Sequence, residues 1–386
     1  MEQGTRLPDV QLSDLDTAEL TPLVRRALDS ETATITDWQQ ERVSSGVGLG
    51  TTVYRLTGHA QDNGQVIPWS LILKIQLPIP GQDDPSHWFY WKREAEAYRS
   101  GWLDDLPGGI AAPRCYGIEE RPDGSYWLWL EEVKDSIGRK WPLEHYGIVA
   151  RHLGQFNGAY LVGEPMPTYP WLSRDGIRKH VESSAQAIEQ LRDVLDHPLV
   201  SRWLPGDASE QLFQTWAERD VFLEALDRLP QTICQFDAFR RNLFARQAPD
   251  GAMQTVIVDW SYTGCGPLGA ELVPLVIGTL IFFEVDLAEL SDLDRLAFEG
   301  YLEGLQEAGW HGDPRLVRLG YTAGILRYVL GTVGEILPAI LADRRDAAQQ
   351  VFAVPPEVLL DQWAAQRRAL FSLLSEARRL IEEKDT

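Results

Sequence analysis

TICQFDAFRRNLFARQAPDGAMQTVIVDWSYTGCGPLGAE, residues 232–271, sets Asp237, Asn242 and Asp259 at the ends of short apolar runs. The pattern predicts a strand over Thr232–Gln235, a tight loop over Asp237–Asn242 and a returning strand over Asn242–Ala245. A further strand follows over Thr255–Val258, with Asp250-Gly251 turning between the last two. Such an arrangement gathers three oxygen-bearing side chains at the mouth of a small sheet. Asn242 and Asp259 suit a hard cation such as Mg2+, which takes a few protein oxygens and completes its shell with substrate phosphates. Asp237 is then free to orient a hydroxyl and accept its proton as it attacks phosphorus. The bland reading makes Asp237 and Asn242 turn residues and Asp259 the end of a strand. The motifs upstream weigh against it.

This D-x-x-x-x-N…D spacing resembles the catalytic and metal-binding loops of the kinase-like phosphotransferases, in particular the aminoglycoside phosphotransferase and choline kinase branch. That branch shows H-G-D-x-x-x-x-N followed by I-D-W or I-D-F. Asp237, Asn242 and Asp259-Trp260 match it. Gln235 and Phe236 stand where the family has His-Gly, the His being mainly structural beneath the loop. That departure motivates a competing reading, a nucleotide-binding pseudokinase or regulatory module.

Upstream, Val43–Gly58 (VSSGVGLGTTVYRLTG) sets Gly46, Gly48 and Gly50 ahead of the alternating Val53, Arg55 and Thr57. A glycine loop between two strands lets backbone N–H groups approach phosphate oxygens with no Cβ in the way. It is not a Walker motif, since no G-K-[S/T] follows, nor a dinucleotide fingerprint, since a strand comes next. Alone it is equally a plain hairpin turn. Trp69–Leu77 (WSLILKIQL) is an apolar strand interrupted by Lys74, which needs either solvent or a charged partner. His87–Trp102 reads as a helix and offers Glu94 and Glu96. The resemblance implies that Lys74 holds the α/β phosphates and that a helical Glu holds Lys74. The family's R-E-x-x-x-Y/L matches Arg93-Glu94…Tyr98 and selects Glu94. It also implies that YWLWLEEV, Tyr126–Val133, is the hinge, with Glu131 and Val133 lending a backbone carbonyl and amide to adenine.

A chain of 386 residues with 44% hydrophobic content and 14 Trp has enough material for two lobes with a sizeable core. Its net charge of −21 leaves no basic stripe for nucleic acid. No apolar run reads as a membrane span, and Met1-Glu2-Gln3-Gly4 does not read as a signal peptide. Cys115, Cys234 and Cys265 form neither a disulfide framework nor a zinc spacing, which predicts a cytoplasmic setting. The seven His are scattered, with none three or four residues from another.

Thr17–Ser30 carries a helical stripe, and from about Lys134 the pattern becomes helical throughout. Helices are expected at His145–Tyr160, Arg174–Asp196, Glu210–Arg228, Glu271–Phe283, Asp292–Ala308, Arg315–Gly331 and Pro356–Lys384. The expected architecture is α+β, a two-lobed protein-kinase-like fold. A small, mainly β N-lobe of five strands with a leading helix covers residues 1–132, and a larger helical C-lobe covers 133–386. The resemblance implies ATP- and Mg2+-dependent transfer of the γ-phosphoryl group to a hydroxyl of a small molecule. An amine-bearing sugar, aminoglycoside or amino alcohol is among the acceptors it allows. Trp260, Tyr262 and Glu271, with the acidic stretch Glu284–Asp294, are candidate acceptor walls. Their charge motivates a cationic acceptor, set against the even reading that these acids sit on solvated helix faces. A protein acceptor is disfavoured, because no activation-loop and A-P-E-like segment follows Asp259.

Overall fold

The computed structural model describes residues 12, 15–43, 50–248, 251–342, 352 and 354–384. Helix α1 (Thr17–Ala27) begins where Asp16 accepts the Glu19 N–H at 2.9 Å, and it buries Leu20, Leu23 and Val24. Strands β1 (Thr34–Val43), β2 (Thr51–Asp62) and β3 (Gln65–Gln76) form a meander. The β2–β3 turn uses Asn63 at φ 48° and Gly64 at φ 81°, the left-handed pair that matches strand twist in a two-residue hairpin. After helix α2 (Arg93–Arg99) and the short β4 (Ile110–Ala111) come β5 (Cys115–Glu120) and β6 (Tyr126–Leu130). The antiparallel sheet runs β1-β2-β3-β6-β5. All five residues of β6 are buried, as its unbroken apolar run requires. Lys74 lies opposite Val53 and Leu128, on a central strand of the sheet.

The helix expected over His87–Trp102 is shorter than the pattern implies. Asp84 closes an Asx turn on the Ser86 N–H at 2.8 Å, and its carbonyl accepts the His87 N–H at 2.9 Å. These turns consume residues that periodicity assigned to the helix, so α2 starts at Arg93.

The helical lobe is built on α3 (Leu143–Val162), which crosses Leu290–Glu307 at close range. A Cβ on Gly300 or Gly304 would overlap the carbonyls of Gly147 or Arg151, so only glycine permits that approach. Helices α4 (Gly176–Ser183) and Ala185–Asp193 replace the single helix expected over Arg174–Asp196. The break falls at Ser184, whose hydroxyl donates to the Gly331 carbonyl at 2.6 Å. The helix expected over Glu210–Arg228 likewise divides into Ala208–Ala217 and Arg219–Asp227, while Pro356–Lys384 is one helix. Contrary to the sequence reading, Pro314–Leu341 is long and apolar enough to cross a membrane by length and composition. Its apolar side chains go largely to the core: Val317, Leu319, Ile325, Leu326, Val329, Leu330, Val333 and Leu337 are all buried.

The residue 232–271 stretch forms two small sheets, not one. Strand β7 (Gln231–Cys234) pairs with β10 (Gly264–Pro267), which the sequence reading did not foresee. The β8 (Leu243–Gln247) and β9 (Met253–Ile257) hairpin takes β4 as a parallel edge. Asp250 of the expected turn lies outside the described residues; Gly251 sits at φ 87°. The chain thus has a small antiparallel-sheet lobe and a larger helical lobe, as expected.

Candidate active site

Lys74 is buried on β3 and reaches two carboxylates: Glu94 Oε2 at 2.5 Å and Asp259 Oδ1 at 3.1 Å. Burial alone would lower its pKa, but Asp259 and Glu94 outweigh that and raise it, so the ammonium stays charged. Burial would likewise raise Asp259, and the Lys74 ammonium reverses this to hold it below the usual carboxylate value. Glu94 also accepts Gln76 Nε2 at 3.0 Å and the Trp260 N–H at 3.3 Å. Glu96, the other helical candidate, pairs instead with Arg99 at 3.1 Å.

Asp237 and Asn242 close the loop between β7 and β8. Asn242 Nδ2 donates to Asp237 Oδ2 at 2.8 Å and to its carbonyl at 3.0 Å. Burial and the nearby Asp259 charge push the Asp237 carboxyl well above its ordinary value, against the pull of Arg327, Asn242 and Lys74. Gln235 sits beneath. Its Nε2 donates to the Asp259 carbonyl, and its Oε1 accepts the Asp237 N–H at 2.7 Å. One amide side chain therefore joins the two loops. Phe236 and Asp259 adopt left-handed backbone at φ 66° and 63°, a conformation that costs energy outside glycine and persists when surroundings hold it. Glu271 supplies part of that hold, accepting the N–H groups of Gln235 at 2.6 Å and Phe236 at 3.0 Å.

Among the described residues, Asn242 Oδ1 accepts no hydrogen bond, while the Asp259 carboxylate meets Lys74 and the Ser261 N–H through Oδ1. An amide oxygen and a carboxylate of this kind fit a Mg2+ ion that takes the rest of its shell from phosphates and water. In the segment expected to be the hinge, the Glu131 amide donates to the Arg114 carbonyl at 2.9 Å, while the Glu131 carbonyl and the Val133 amide keep no partner among the described residues. Gly50 has φ 85° and its carbonyl accepts the Leu77 N–H at 2.7 Å; Gly46 and Gly48 lie outside the described residues.

Two of the three expected acceptor-wall residues are elsewhere. Trp260 is fully buried, edge-on to Trp102 at 5.7 Å, and Glu271 is fully buried under the Asp237 loop. Tyr262 remains half-buried beside Phe89 at 5.2 Å, with the Arg327 guanidinium 5.1 Å from its ring. The acidic stretch is largely engaged: Glu284 with Arg241, Asp292 with Arg295, Asp294 with Arg318, and Asp286 with Glu289 in a capping box.

An aminoglycoside phosphotransferase from Alicyclobacillus acidocaldarius superposes over 89% of this chain and 92% of its own, with TM-score 0.51 and 14% identity. A choline kinase from Cryptosporidium parvum covers 90% and 91%, with TM-score 0.50 and 14% identity. The fold is that of the aminoglycoside phosphotransferases and choline kinases. Neither a family model nor a curated relative matches the chain by sequence.

Within this kinase-like fold, three supporting residues escaped the sequence reading. Gln235 was seen only as a departure from His-Gly. Arg240 stacks on Trp141 at 3.9 Å and pairs with Asp135 at 2.8 Å, tying the Asp237 loop to the chain that follows the hinge. Arg93 was read only as half of an R-E match. Each is an ordinary polar residue locally, and its partners come from distant segments.

Proposed function

We propose that this chain is an ATP- and Mg2+-dependent phosphotransferase that moves the γ-phosphoryl group to a hydroxyl of a small molecule. The observation that carries this is the convergence of Lys74, Glu94 and Asp259 from three segments, beside the Asp237–Asn242 loop. Bound Mg2+ would offset phosphate charge and stabilise what builds up during transfer. Asn242 and Asp259 are the residues that would hold it. Lys74 would bind the α/β phosphates, kept in line by Glu94, and the hinge would bind adenine through the Glu131 carbonyl and Val133 amide. Asp237 would orient the acceptor hydroxyl and take its proton as the new O–P bond forms and the bond to ADP breaks. Such chemistry is mostly positioning and electrostatics, which these few groups can supply.

The net charge of −21 favours an acceptor that carries an amine, such as an aminated sugar or amino alcohol. The test is ADP release from ATP and Mg2+ by purified protein against a panel of amino alcohols, sugars, aminoglycosides and macrolides. Turnover with at least one acceptor, lost when Mg2+ is chelated, is expected. ATP binding without turnover across the whole panel would favour the pseudokinase reading that Gln235-Phe236 motivates.

A further inference from the structure

Arg93 opens α2, and its side chain is fully buried at 0% exposure. Among the described residues it has no carboxylate partner. It donates instead to four backbone carbonyls. Nε reaches Trp171 at 2.8 Å, Nη1 reaches Trp88 at 2.9 Å and Ser261 at 2.7 Å, and Nη2 reaches His87 at 2.7 Å. His87 and Trp88 belong to the segment leading into α2. Trp171 and Ser261 belong to the helical lobe and to the loop that follows Asp259.

Burying an unpaired guanidinium is expensive, and it lowers the Arg93 pKa to about 10. Only a planar fork with donors in several directions could satisfy carbonyls arriving from three segments; a lysine has neither the reach nor the geometry. The next residue completes the arrangement, since Glu94 accepts the Trp260 N–H. Consecutive residues of α2 therefore grip consecutive residues of the loop, Glu94 at the Trp260 N–H and Arg93 at the Ser261 C=O. The grip begins one residue past Asp259, whose left-handed backbone at φ 63° has to be imposed by its surroundings.

We propose that Arg93 is a positioning residue that locks the Asp259 loop to α2, so that the metal-side carboxylate and the Lys74–Glu94 pair meet the nucleotide as one unit. The proposal rests on the phosphotransferase reading above.

ADP affinity is to be measured by calorimetry in EDTA and in Mg2+, for the wild-type protein and for Arg93→Lys and Arg93→Gln, after a cooperative thermal melt verifies folding. In wild type, Mg2+ should tighten ADP binding. In Arg93→Lys, affinity in EDTA should stay within about twofold of wild type, while the tightening by Mg2+ should shrink about tenfold, the scale of one charge-assisted hydrogen bond. Arg93→Gln should lose at least as much. A residue that merely supports the fold would lower the melting temperature, or weaken both conditions alike. Equal weakening overturns the proposal, as does full Mg2+ tightening in a folded variant, or failure of both variants to fold. A wild-type protein that binds no ADP in either condition removes the phosphotransferase reading itself. Wild-type tightening beside intact tightening in the variants rejects Arg93 alone.

Discussion

Replacing Asp237 by Asn preserves shape and removes both the negative charge and the proton acceptor. Turnover should fall by about two to four orders of magnitude with ATP affinity nearly unchanged, the range for a positioned general base. Steady-state rates alongside nucleotide titrations check it; a loss of binding equal to the loss of rate would place Asp237 elsewhere. Glu271 supports a different expectation. Burial lifts its pKa to about 7, against the two backbone N–H groups that favour the charged form. Because the folded value lies above the unfolded one, its contribution to stability is complete below about pH 4.3 and is lost as pH rises toward 7. The span is on the order of 3 kcal/mol. Urea unfolding at several pH values should show this decline, and Glu271→Gln should flatten it. The same variant should be less stable at acidic pH by about 1–3 kcal/mol, since its amide leaves one N–H without an acceptor. An unflattened slope would assign the decline to another group. At this scale the sequence singled out Lys74, Glu94, Asp237, Asn242 and Asp259, and the fold brings Lys74, Glu94 and Asp259 together and bonds Asn242 to Asp237. It gave no hint of the contacts that Arg93 and Gln235 make, nor of the full burial of Trp260 and Glu271, because burial is a property of the packed chain.

Phe236 exposes a conflict between backbone and core. Its φ of 66° suits glycine, yet its ring is buried and faces Arg327 at 5.9 Å. Releasing the strain is worth about 1–2 kcal/mol, whereas deleting a buried aromatic ring costs about 3–5 kcal/mol. Burial wins, so Phe236→Gly should melt lower than wild type. Phe236→Ala should melt lower still, because it loses the ring and keeps the strain. Differential scanning calorimetry decides this; an Ala variant more stable than the Gly variant would mean the loop has relaxed out of the left-handed region. Element boundaries follow the same physics of local competition. Periodicity found the long helices, but it overran α2, where an Asx turn intervenes, and it bridged the break at Ser184. The β7–β10 partnership was invisible because β10, Gly264–Pro267, carries almost no strand signal of its own.

Across the whole molecule, the order and spacing of motifs sufficed to read the two lobes, since each lobe's periodicity is distinct. Net charge has a further effect at this scale. An excess of 21 negative charges repels itself in the folded state. Raising ionic strength from about 10 mM to about 100 mM shortens the screening length from about 30 Å to about 10 Å. The melting temperature should therefore rise over that interval. Surface ion pairs such as Arg178–Asp227 and Arg228–Glu224 weaken at the same time, but each exposed pair contributes only about 0–1 kcal/mol. A falling melting temperature would show that such pairs outweigh the global repulsion.

The brace between the Asp237 and Asp259 loops is an amide. An imidazole in that place gains a proton near neutrality and, once charged, can no longer accept a hydrogen bond at the nitrogen it has used. Gln235 has no such second state: its Oε1 accepts the Asp237 N–H and its Nε2 donates to the Asp259 carbonyl at any pH the fold survives. Mild acidification would leave this joint untouched while the surrounding carboxylates titrate. What looks in the sequence like an eroded motif is, in its hydrogen bonding, a joint indifferent to acid.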